Sequence, residues 1–469
     1  MINQSTKVSM IVGCAFMLQS VDGNVLSVAV PQIAINFGTE PTRISSAIIS
    51  YLLTVAVFLP ISGWLADRYG ARATFIASIL VFALGSILCG FSINMWTLTA
   101  ARAIQGIGGA MIMPVGRLVL LRSVPKSEFV ASIALVSIPL QIGQLLGPPL
   151  GGFITTYTSW RWIFFINVPI ACLGIILILR NIENFRGLEV RPLDFGGFLL
   201  SGSALACLLF GLEAAGGAAL GLQLSVATIL GGIFLSILAV RHLNRHPHPL
   251  LDLSLMKLQN FRIIFLGGTM LRLGLGAVGF ILSLLFQSVF QMTAFQAGVL
   301  ILGGAFGQVL MGFRTRSVIA QFGFRTVLLG STLLSATSIV ACIAFTPTTP
   351  ISVILAVLIV NGLAQMLAFT CLNTLIFADI EPARMSTATS FSQLSNQLGI
   401  GTGVAFSALV LTASQIIHGA AALSATEIRD AIIAVVVFHL AAILIFRWLA
   451  LDAGHDLSGH KAALQSQPD

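Results

Sequence analysis

Residues 63–72 read Gly63-Trp-Leu-Ala-Asp67-Arg68-Tyr-Gly70-Ala-Arg72, a short polar segment between two long apolar runs. Gly70 can adopt backbone angles that other residues avoid, so the chain can turn tightly there. Asp67 lies at the edge of an apolar run, where its carboxylate can pair with an arginine or a helix end and hold one of two conformations. We therefore predict a conformational latch formed by Gly63, Asp67, Arg68, Gly70 and Arg72.

Apolar runs of this kind extend through almost the whole chain. Of the 469 residues, 57% are hydrophobic and only 9% are charged, whereas a soluble domain carries about a quarter charged residues. Runs of about 20 apolar residues are long enough to cross the hydrocarbon of a membrane as helices. The predicted fourteen spans lie near residues 9–31, 44–66, 73–93, 96–121, 129–155, 160–179, 195–215, 219–240, 263–289, 295–313, 326–345, 350–378, 386–417 and 431–450.

The basic residues predict the orientation of these spans. With the N-terminus inside, 18 of the 24 Lys and Arg residues fall in cytoplasmic segments, only Arg43, Arg161 and Arg429 fall outside, and Arg102, Arg117 and Arg272 lie within spans. The cytoplasmic loops of membrane proteins carry an excess of Lys and Arg. We therefore expect a multi-pass protein of the cell inner membrane with both termini in the cytoplasm.

Several function classes do not fit the sequence. The longest polar stretches, 181–194, 241–262 and the tail from 452, are too short for a catalytic domain, and no G-x-x-x-x-G-K-[ST] motif for ATP occurs. The net charge of +8 comes from basic residues scattered through loops rather than from the basic stripe of a nucleic-acid-binding surface. The chain is not expected to be an enzyme, to bind nucleic acid or to need a cofactor.

Cysteine and histidine spacing does not predict a metal site. All six cysteines fall inside apolar runs, where they behave as small buried hydrophobes. His242, His246 and His248 share a Pro-rich loop with no carboxylate or cysteine at ligand spacing, which is more typical of solvated imidazoles than of metal ligands. No metal site is therefore expected.

Spans four and five contain two motifs rich in small residues. Span four reads Leu98-Thr-Ala-Ala-Arg102-Ala-Ile-Gln105-Gly106-Ile-Gly108-Gly109, and its buried arginine requires a cavity or a partner. Span five reads Gly143-Gln-Leu-Leu-Gly147-Pro148-Pro149-Leu-Gly151-Gly152, and glycines at this spacing let helices approach closely. Together with residues 63–72, these segments resemble the signature motifs of the major facilitator superfamily.

Finer features resemble one branch of that superfamily. The fourteen spans, the segment Asp22-Gly-Asn24-Val-Leu-Ser27-Val-Ala-Val-Pro31 and the segment Ser159-Trp-Arg-Trp-Ile-Phe-Phe-Ile-Asn167-Val-Pro169 are similar to the 14-span drug:proton antiporters of the EmrB and QacA type, and most closely to their MdtD-like multidrug transporters. The sequence departs from the branch at Asn24 and Ser27, where Thr and Asn are usual, and this departure weakens any substrate assigned by resemblance. The antiporter motif of the family corresponds to Gly143, Gly147, Pro148, Gly151 and Gly152.

The resemblance covers essentially the whole chain and implies its architecture. We expect an all-α membrane protein with the major facilitator fold, in which two pseudo-symmetric six-helix bundles occupy residues 1–180 and 261–451. Two additional spans with cytoplasmic linkers occupy residues 181–260, and residues 452–469 form a cytoplasmic tail.

Asp22 and Arg102 are the candidate proton-coupling residues. Of the sixteen Asp and Glu residues, only Asp22 lies deep in a span, and burial favours a protonated carboxyl whereas a nearby cation favours an ionised one. At about 1.5 Å per residue, Asp22 and Arg102 lie at similar depths, about 13 Å and about 10 Å below the outer surface. A fixed ion pair that only joins spans one and four remains the alternative.

Polar side chains within the spans are candidates for the substrate cavity. Arg272 lies about 15 Å deep in span nine, and pseudo-symmetry makes it mirror Asp22 across the central cavity. A ligand contact and a structural pairing are both open for Arg272, and the amides can line the cavity or join helices. The predicted cavity residues are Gln19, Asn24, Gln105, Gln141, Arg272, Asn361, Gln365, Asn373 and Asn396.

These features predict a proton-coupled secondary active transporter that exports small amphipathic molecules by alternating access, as in multidrug efflux. The alternative is a dedicated exporter of one endogenous metabolite, such as a siderophore, and the sequence does not separate the two. The C-terminal bundle has no deep carboxylate, so neutral or anionic amphiphiles fit better than strictly cationic ones. The expected partners are a small-molecule substrate, protons and the lipid bilayer, with a periplasmic adaptor and an outer-membrane channel as further candidates.

The predicted topology is tested by labelling substituted cysteines. The loop that contains His246 and the tail that contains Lys461 are both expected to be cytoplasmic, because an even number of spans returns the chain to its starting side. A cysteine at either position should not react with a membrane-impermeant thiol reagent in intact cells. Labelling of either position in intact cells would contradict the fourteen-span topology.

Overall fold

The computed structural model of the protein describes residues 3–125, 128–184, 192–217, 221–247, 249–380, 385–420, 422–450 and 453–454. All regular secondary structure in these residues is helical. The predicted cytoplasmic tail lies almost wholly outside the described residues. The expectation of an all-α protein is therefore confirmed.

The first part of the chain forms an N-terminal bundle and a helical pair that follows it. The bundle consists of α1 (Gln4–Phe37), α2 (Ser45–Phe58), α3 (Ser62–Tyr69), α4 (Ala71–Gly90), α5 (Met95–Ser123), α6 (Phe129–Tyr157), α7 (Trp162–Phe165) and α8 (Asn167–Asn181). The pair consists of α9 (Phe195–Gly217) and α10 (Gly221–Arg245). The predicted second span is interrupted between α2 and α3 by the 3-10 turn Leu59–Ile61, because Pro60 has no N–H for a helical hydrogen bond.

The last part of the chain forms a C-terminal bundle. Its helices are α11 (Gln259–Leu284), α12 (Ala294–Gly312), α13 (Thr315–Phe322), α14 (Phe324–Ala341), α15 (Ile351–Leu375), α16 (Met385–His418) and α17 (Ala425–Phe446). Gly70 between α3 and α4 has φ +100°, and Gly323 between α13 and α14 has φ +75°. Both angles favour glycine. This repeated corner agrees with the expected pseudo-symmetry of the two bundles.

Thirteen helices in the described part of the chain are long and apolar enough to cross a membrane. Each of them overlaps one of the predicted spans. The remaining predicted span, 129–155, coincides with α6, a helix of 29 residues in which some side chains lie outside the described residues. The positions of the spans were therefore predicted closely from the apolar runs.

The glycines of α6 let two other helices pack closely against it. A Cβ atom at Gly147 would lie 2.8 Å from the Asn24 Cβ of α1, and one at Gly151 would lie 2.7 Å from the Val25 Cγ1. The neighbouring Gly152 faces α12, where a Cβ would overlap the backbone around the Ala294 carbonyl. The predicted antiporter motif thus packs α6 between α1 of its own bundle and α12 of the other.

The C-terminal bundle repeats this packing with α16 and α11. A Cβ at Gly399 would overlap the Cβ of Arg272, and one at Gly403 would overlap the backbone around the Leu273 carbonyl. Lipid tails are as apolar as the surface of a helix, so no hydrophobic effect drives helices together in a membrane. Helices associate there through close packing, which small residues allow. These contacts bring polar side chains of neighbouring helices within hydrogen-bond distance inside each bundle.

The helix ends define two faces of the molecule. On the face where α1 begins and α17 ends, here called the terminal face, Gln4 Nε2 donates to the Asn181 carbonyl at 2.9 Å, and Arg325 Nη2 donates to the Arg447 carbonyl at 2.8 Å. On the opposite face, called the far face, the Phe295 N–H donates to Thr156 Oγ1 at 3.0 Å. The terminal face is the one that the sequence assigns to the cytoplasm.

Candidate functional site

The centre of the N-terminal bundle contains a buried ion pair. Arg102 Nη1 of α5 donates to Asp22 Oδ2 of α1 at 2.6 Å, and the two side chains are 1% and 0% exposed. Asp22 lies near the middle of α1, among apolar residues. The two residues predicted to form the proton-coupling site are therefore in direct contact.

Amides from α5 and α8 complete the environment of the Asp22 carboxylate. Gln105 Nε2 and Asn167 Nδ2 each donate to Asp22 Oδ1 at 2.8 Å. Both amides also donate to Ser86 Oγ of α4, at 2.7 and 3.2 Å. Four helices, α1, α4, α5 and α8, thus meet at one carboxylate whose oxygens accept three hydrogen bonds.

The Arg102 guanidinium is equally enclosed. Its Nη1 also donates to Gln105 Oε1 at 2.6 Å, and its Nε donates to the Ala47 carbonyl at 3.4 Å. The guanidinium carbon lies 4.2 Å from the centre of the Tyr51 ring, at a distance where the ring attracts a cation. These contacts compensate a charge that would otherwise be very unfavourable in the membrane interior.

Small residues make this arrangement possible. A Cβ at Gly85 of α4 would lie 2.5 Å from Gln105 Cα, so only glycine lets α4 and α5 approach closely enough for Gln105 to reach Ser86. On the other side of α5, a Cβ at Gly106 would lie 2.7 Å from the Tyr51 carbonyl. Gly85 of α4 and Gly106 of the span-four motif therefore position the polar groups that surround the ion pair.

Three members of the network, Ser86, Tyr51 and Asn167, were not assigned to it from the sequence. Asn167 belongs to the segment that carries the resemblance at span six, and Tyr51 is the one tyrosine within a predicted span. Their residue types gave a weak signal, because a polar side chain inside a span needs a partner. Gln105, predicted for the cavity, is fully buried in this network.

The predicted latch residues form contacts on the terminal face. Asp67 Oδ1 accepts a hydrogen bond from Arg122 Nη2 at 2.8 Å, and Arg72 Nη1 donates to the Ile182 carbonyl at 3.2 Å. The Arg68 guanidinium lies 5.2 Å from the centre of the Trp64 ring. Arg122, the partner of Asp67 at the end of α5, was not among the predicted latch residues.

Arg272, the other predicted cation of the cavity, has a different environment. It is 4% exposed, and its Nη1 donates to Ser395 Oγ of α16 at 2.9 Å. No carboxylate in the described part of the chain lies within ion-pair distance of this guanidinium. Arg272 is thus a buried cation that forms no ion pair with a carboxylate among the described residues.

The remaining predicted cavity residues mainly join helices. Gln19 Nε2 donates to the Gly109 carbonyl at 2.9 Å. In the C-terminal bundle, Asn361 Oδ1 accepts from Ser335 Oγ at 2.9 Å, and Gln365 Oε1 accepts from Gln308 Nε2 at 2.9 Å.

Four predicted cavity residues remain. Two of them form hydrogen bonds within their own helix. Asn24 and Asn373 each donate to a carbonyl one turn earlier in their own helix, at 2.7 and 2.9 Å. Asn396 is half-buried, and the side chain of Gln141 lies outside the described residues. The assignment of these residues to a cavity stays a prediction.

Known proteins match the chain over most of its length. Residues 12–241 match the family described as the Major Facilitator Superfamily. Two relatives bear the name "Putative multidrug resistance protein MdtD". The one from Serratia proteamaculans (strain 568) is 34% identical over 410 residues, 86% of this chain and 84% of the relative. The one from Yersinia enterocolitica serotype O:8 / biotype 1B is 34% identical over 456 residues, 95% of each chain.

Two solved structures have the same fold. The POT family transporter PepTSo has a TM-score of 0.69 at 14% identity, covering 95% of this chain and 98% of its own. The nucleoside transporter NupG has a TM-score of 0.64 at 13% identity, with the same coverage. At these identities the similarity concerns the fold alone.

The buried ion pair predicts a specific pattern of stability. Asp22→Ala or Arg102→Ala leaves one charge buried without its partner, which should lower the free energy of unfolding by about 3–5 kcal/mol. Asp22→Asn combined with Arg102→Gln removes both charges and should recover part of that loss. Denaturation of the purified protein in detergent measures the difference.

A second ion pair provides the control for this experiment. Asp67 and Arg122 are 40% and 27% exposed in their side chains, so Asp67→Ala should cost less than about 1 kcal/mol. A double variant at Asp22 and Arg102 that is as unstable as the sum of its single variants would contradict the account.

Proposed function

The chain belongs to the major facilitator superfamily, and from this premise we propose that it is a proton-coupled secondary transporter that exports small amphipathic molecules. It is a multi-pass membrane protein. We place it in the cell inner membrane with the terminal face, and therefore both termini, in the cytoplasm, since basic residues are concentrated on that side. No catalytic step is part of this proposal.

One observation carries the proposed coupling to protons. Among the described residues, Asp22 is the fully buried carboxylate that lies in the middle of a membrane-crossing helix, and its counter-charge is a single arginine. Protonation of Asp22 removes the charge that balances Arg102 and weakens three charge-assisted hydrogen bonds at once. One proton therefore changes the relative free energies of the conformations that α1, α4, α5 and α8 can adopt.

The contacts between the bundles support a state that is closed at the far face. Gln287 Nε2 of the C-terminal bundle donates to the Val28 carbonyl of α1 at 2.8 Å, in the half of the molecule near the far face. The Phe295 to Thr156 hydrogen bond lies on the same side. Gly23, in the middle of α1, has no atom within 4 Å of a Cβ built on it. Open space beside α1 and closure at the far face fit a cavity that opens to the cytoplasm.

The substrate class follows from the charges within the bundles. Arg272 is buried without a carboxylate near it among the described residues, so an acidic or electron-rich group of the substrate would compensate its charge. The apolar surroundings suit the hydrophobic part of such a molecule. The relatives named as multidrug resistance proteins support a broad substrate range. We propose neutral and anionic amphiphiles as substrates, with a periplasmic adaptor and an outer-membrane channel as candidates for onward export.

The transport test uses purified protein in liposomes under an imposed pH gradient. A panel of cationic, neutral and anionic fluorescent amphiphiles provides the probes. Wild type should accumulate at least one probe against its concentration gradient. Asp22→Asn mimics the protonated carboxyl, so it should abolish concentrative transport while probe binding persists. A gradient built by Asp22→Asn as large as that of wild type would place proton coupling elsewhere.

The latch proposal makes a separate prediction. Asp67→Asn removes the charge that pairs with Arg122 at the terminal face, and a half-exposed pair contributes little to stability but can bias two conformations that are close in free energy. We expect this variant to transport several-fold more slowly than wild type with a nearly unchanged melting temperature. Transport at the wild-type rate would remove Asp67 from the mechanism.

A further inference from the structure

A cluster of potential metal ligands lies on the terminal face, away from the ion pair. Asp194 immediately precedes α9, whereas His242 lies in the last turn of α10 and His246 follows that turn. One ligand atom from each of these residues lies within 4.8 Å of the other two. The cluster joins the start of one of the two additional spans to the end of the other.

The two imidazoles share one side of α10. Residues four apart on a helix are neighbours on its surface, and the rings of His242 and His246 stack with their centres 5.2 Å apart and their planes at 29°. The helical turn that carries them is closed by a hydrogen bond of 2.9 Å from the His246 N–H to the His242 carbonyl. The backbone therefore holds both rings against the same neighbour, which is Asp194.

Backbone groups hold the Asp194 carboxylate in position. Oδ1 accepts from the Gly197 N–H at 2.8 Å and lies 2.7 Å from His242 Nε2, and Oδ2 accepts from the Leu250 N–H at 3.2 Å. Burial alone would raise the pKa of Asp194, but the hydrogen bonds with His242, Gly197 and Leu250 outweigh it and leave the pKa below its usual value. The carboxylate therefore keeps a fixed orientation beside His242.

Solvent can reach the cluster from the side of the imidazoles. The Asp194 side chain is 2% exposed, whereas that of His242 is 31% exposed. A Cβ at Gly196 would lie 3.1 Å from His242 Cε1, so a glycine at this position lets the ring lie close to the start of α9. An ion can thus approach an oriented carboxylate past two accessible rings.

We propose that Asp194, His242 and His246 form a binding site for a divalent transition-metal ion of the Zn²⁺ type. Two imidazole nitrogens and one carboxylate oxygen suit Zn²⁺, Co²⁺ or Ni²⁺, whereas Ca²⁺ and Mg²⁺ prefer sites made of oxygen ligands. Three protein ligands leave a coordination position for water. On binding, His242 Nε2 exchanges its hydrogen bond with Asp194 for a bond to the ion, and its proton passes to Nδ1 of the same ring or to solvent.

The site would give the additional spans a specific role. A bound ion connects the start of α9 to the end of α10 and fixes the loop through Leu250 that leads to α11. The sequence alone does not indicate this site, because the carboxylate is separated from His242 by 48 residues. Only the antiparallel packing of α9 and α10 brings the three side chains together.

Co²⁺ provides a direct probe, because its visible absorption reports the number and geometry of its ligands. The full-length protein is purified in detergent without a histidine tag and titrated with Co²⁺, then with Zn²⁺ as competitor. Wild type should develop visible bands that saturate at one Co²⁺ per chain and disappear when Zn²⁺ is added. The Zn²⁺ affinity of His246→Ala and of Asp194→Asn should fall by more than about tenfold, since even outer-shell groups have effects of that size.

The variants are chosen so that folding and binding can be separated. Asparagine is as good a helix N-cap as aspartate, so Asp194→Asn should keep the start of α9 intact. His418→Ala is the matched control, because His418 lies on the far face near Glu427 and Asp430, at 3.9 and 3.8 Å. Bands that persist in both test variants, bands lost in His418→Ala, or the absence of saturable bands in wild type would each overturn the proposal.

Discussion

The buried ion pair between Asp22 and Arg102 is the interaction on which the N-terminal bundle depends. Two charges in the membrane interior are tolerated only if each compensates the other and their remaining polar atoms are hydrogen-bonded. Gln105, Asn167 and Ser86 meet that requirement from three helices. A single proton on Asp22 would leave Arg102 without its counter-charge, so the interaction that holds four helices together is also one that a proton can weaken.

Close helix packing connects this pair to the boundary between the bundles. Asn24, two residues after Asp22, lies against Gly147 of α6, and α6 in turn packs through Gly152 against α12 of the C-terminal bundle. Packed helices do not deform continuously, so a small shift of α1 has to be taken up at these contacts. The predicted antiporter motif therefore lies between the ion pair and the boundary of the two bundles.

The sequence predicted the helices well because apolar runs of membrane length have few alternative structures. The major facilitator fold predicted from three motifs is confirmed, and counting helical rise placed Asp22 and Arg102 at matching depth. The sequence did not predict the partners Asn167, Arg122 and Asp194. Depth follows from position in a run, but the rotation of each helix about its axis depends on packing, and rotation decides which side chains meet. The cavity assignments stay predictions for the same reason.

The central claim, that Asp22 changes its protonation state during transport, is tested most directly by infrared difference spectroscopy. A protonated carboxyl has a carbonyl stretching band that an ionised carboxylate lacks. Purified protein labelled with ¹³C-aspartate is compared at two pH values, with and without a transported amphiphile. The account predicts an isotope-shifted band in wild type and in Asp67→Asn that is missing in Asp22→Asn. The same band in all three proteins, or no band in wild type, would contradict it.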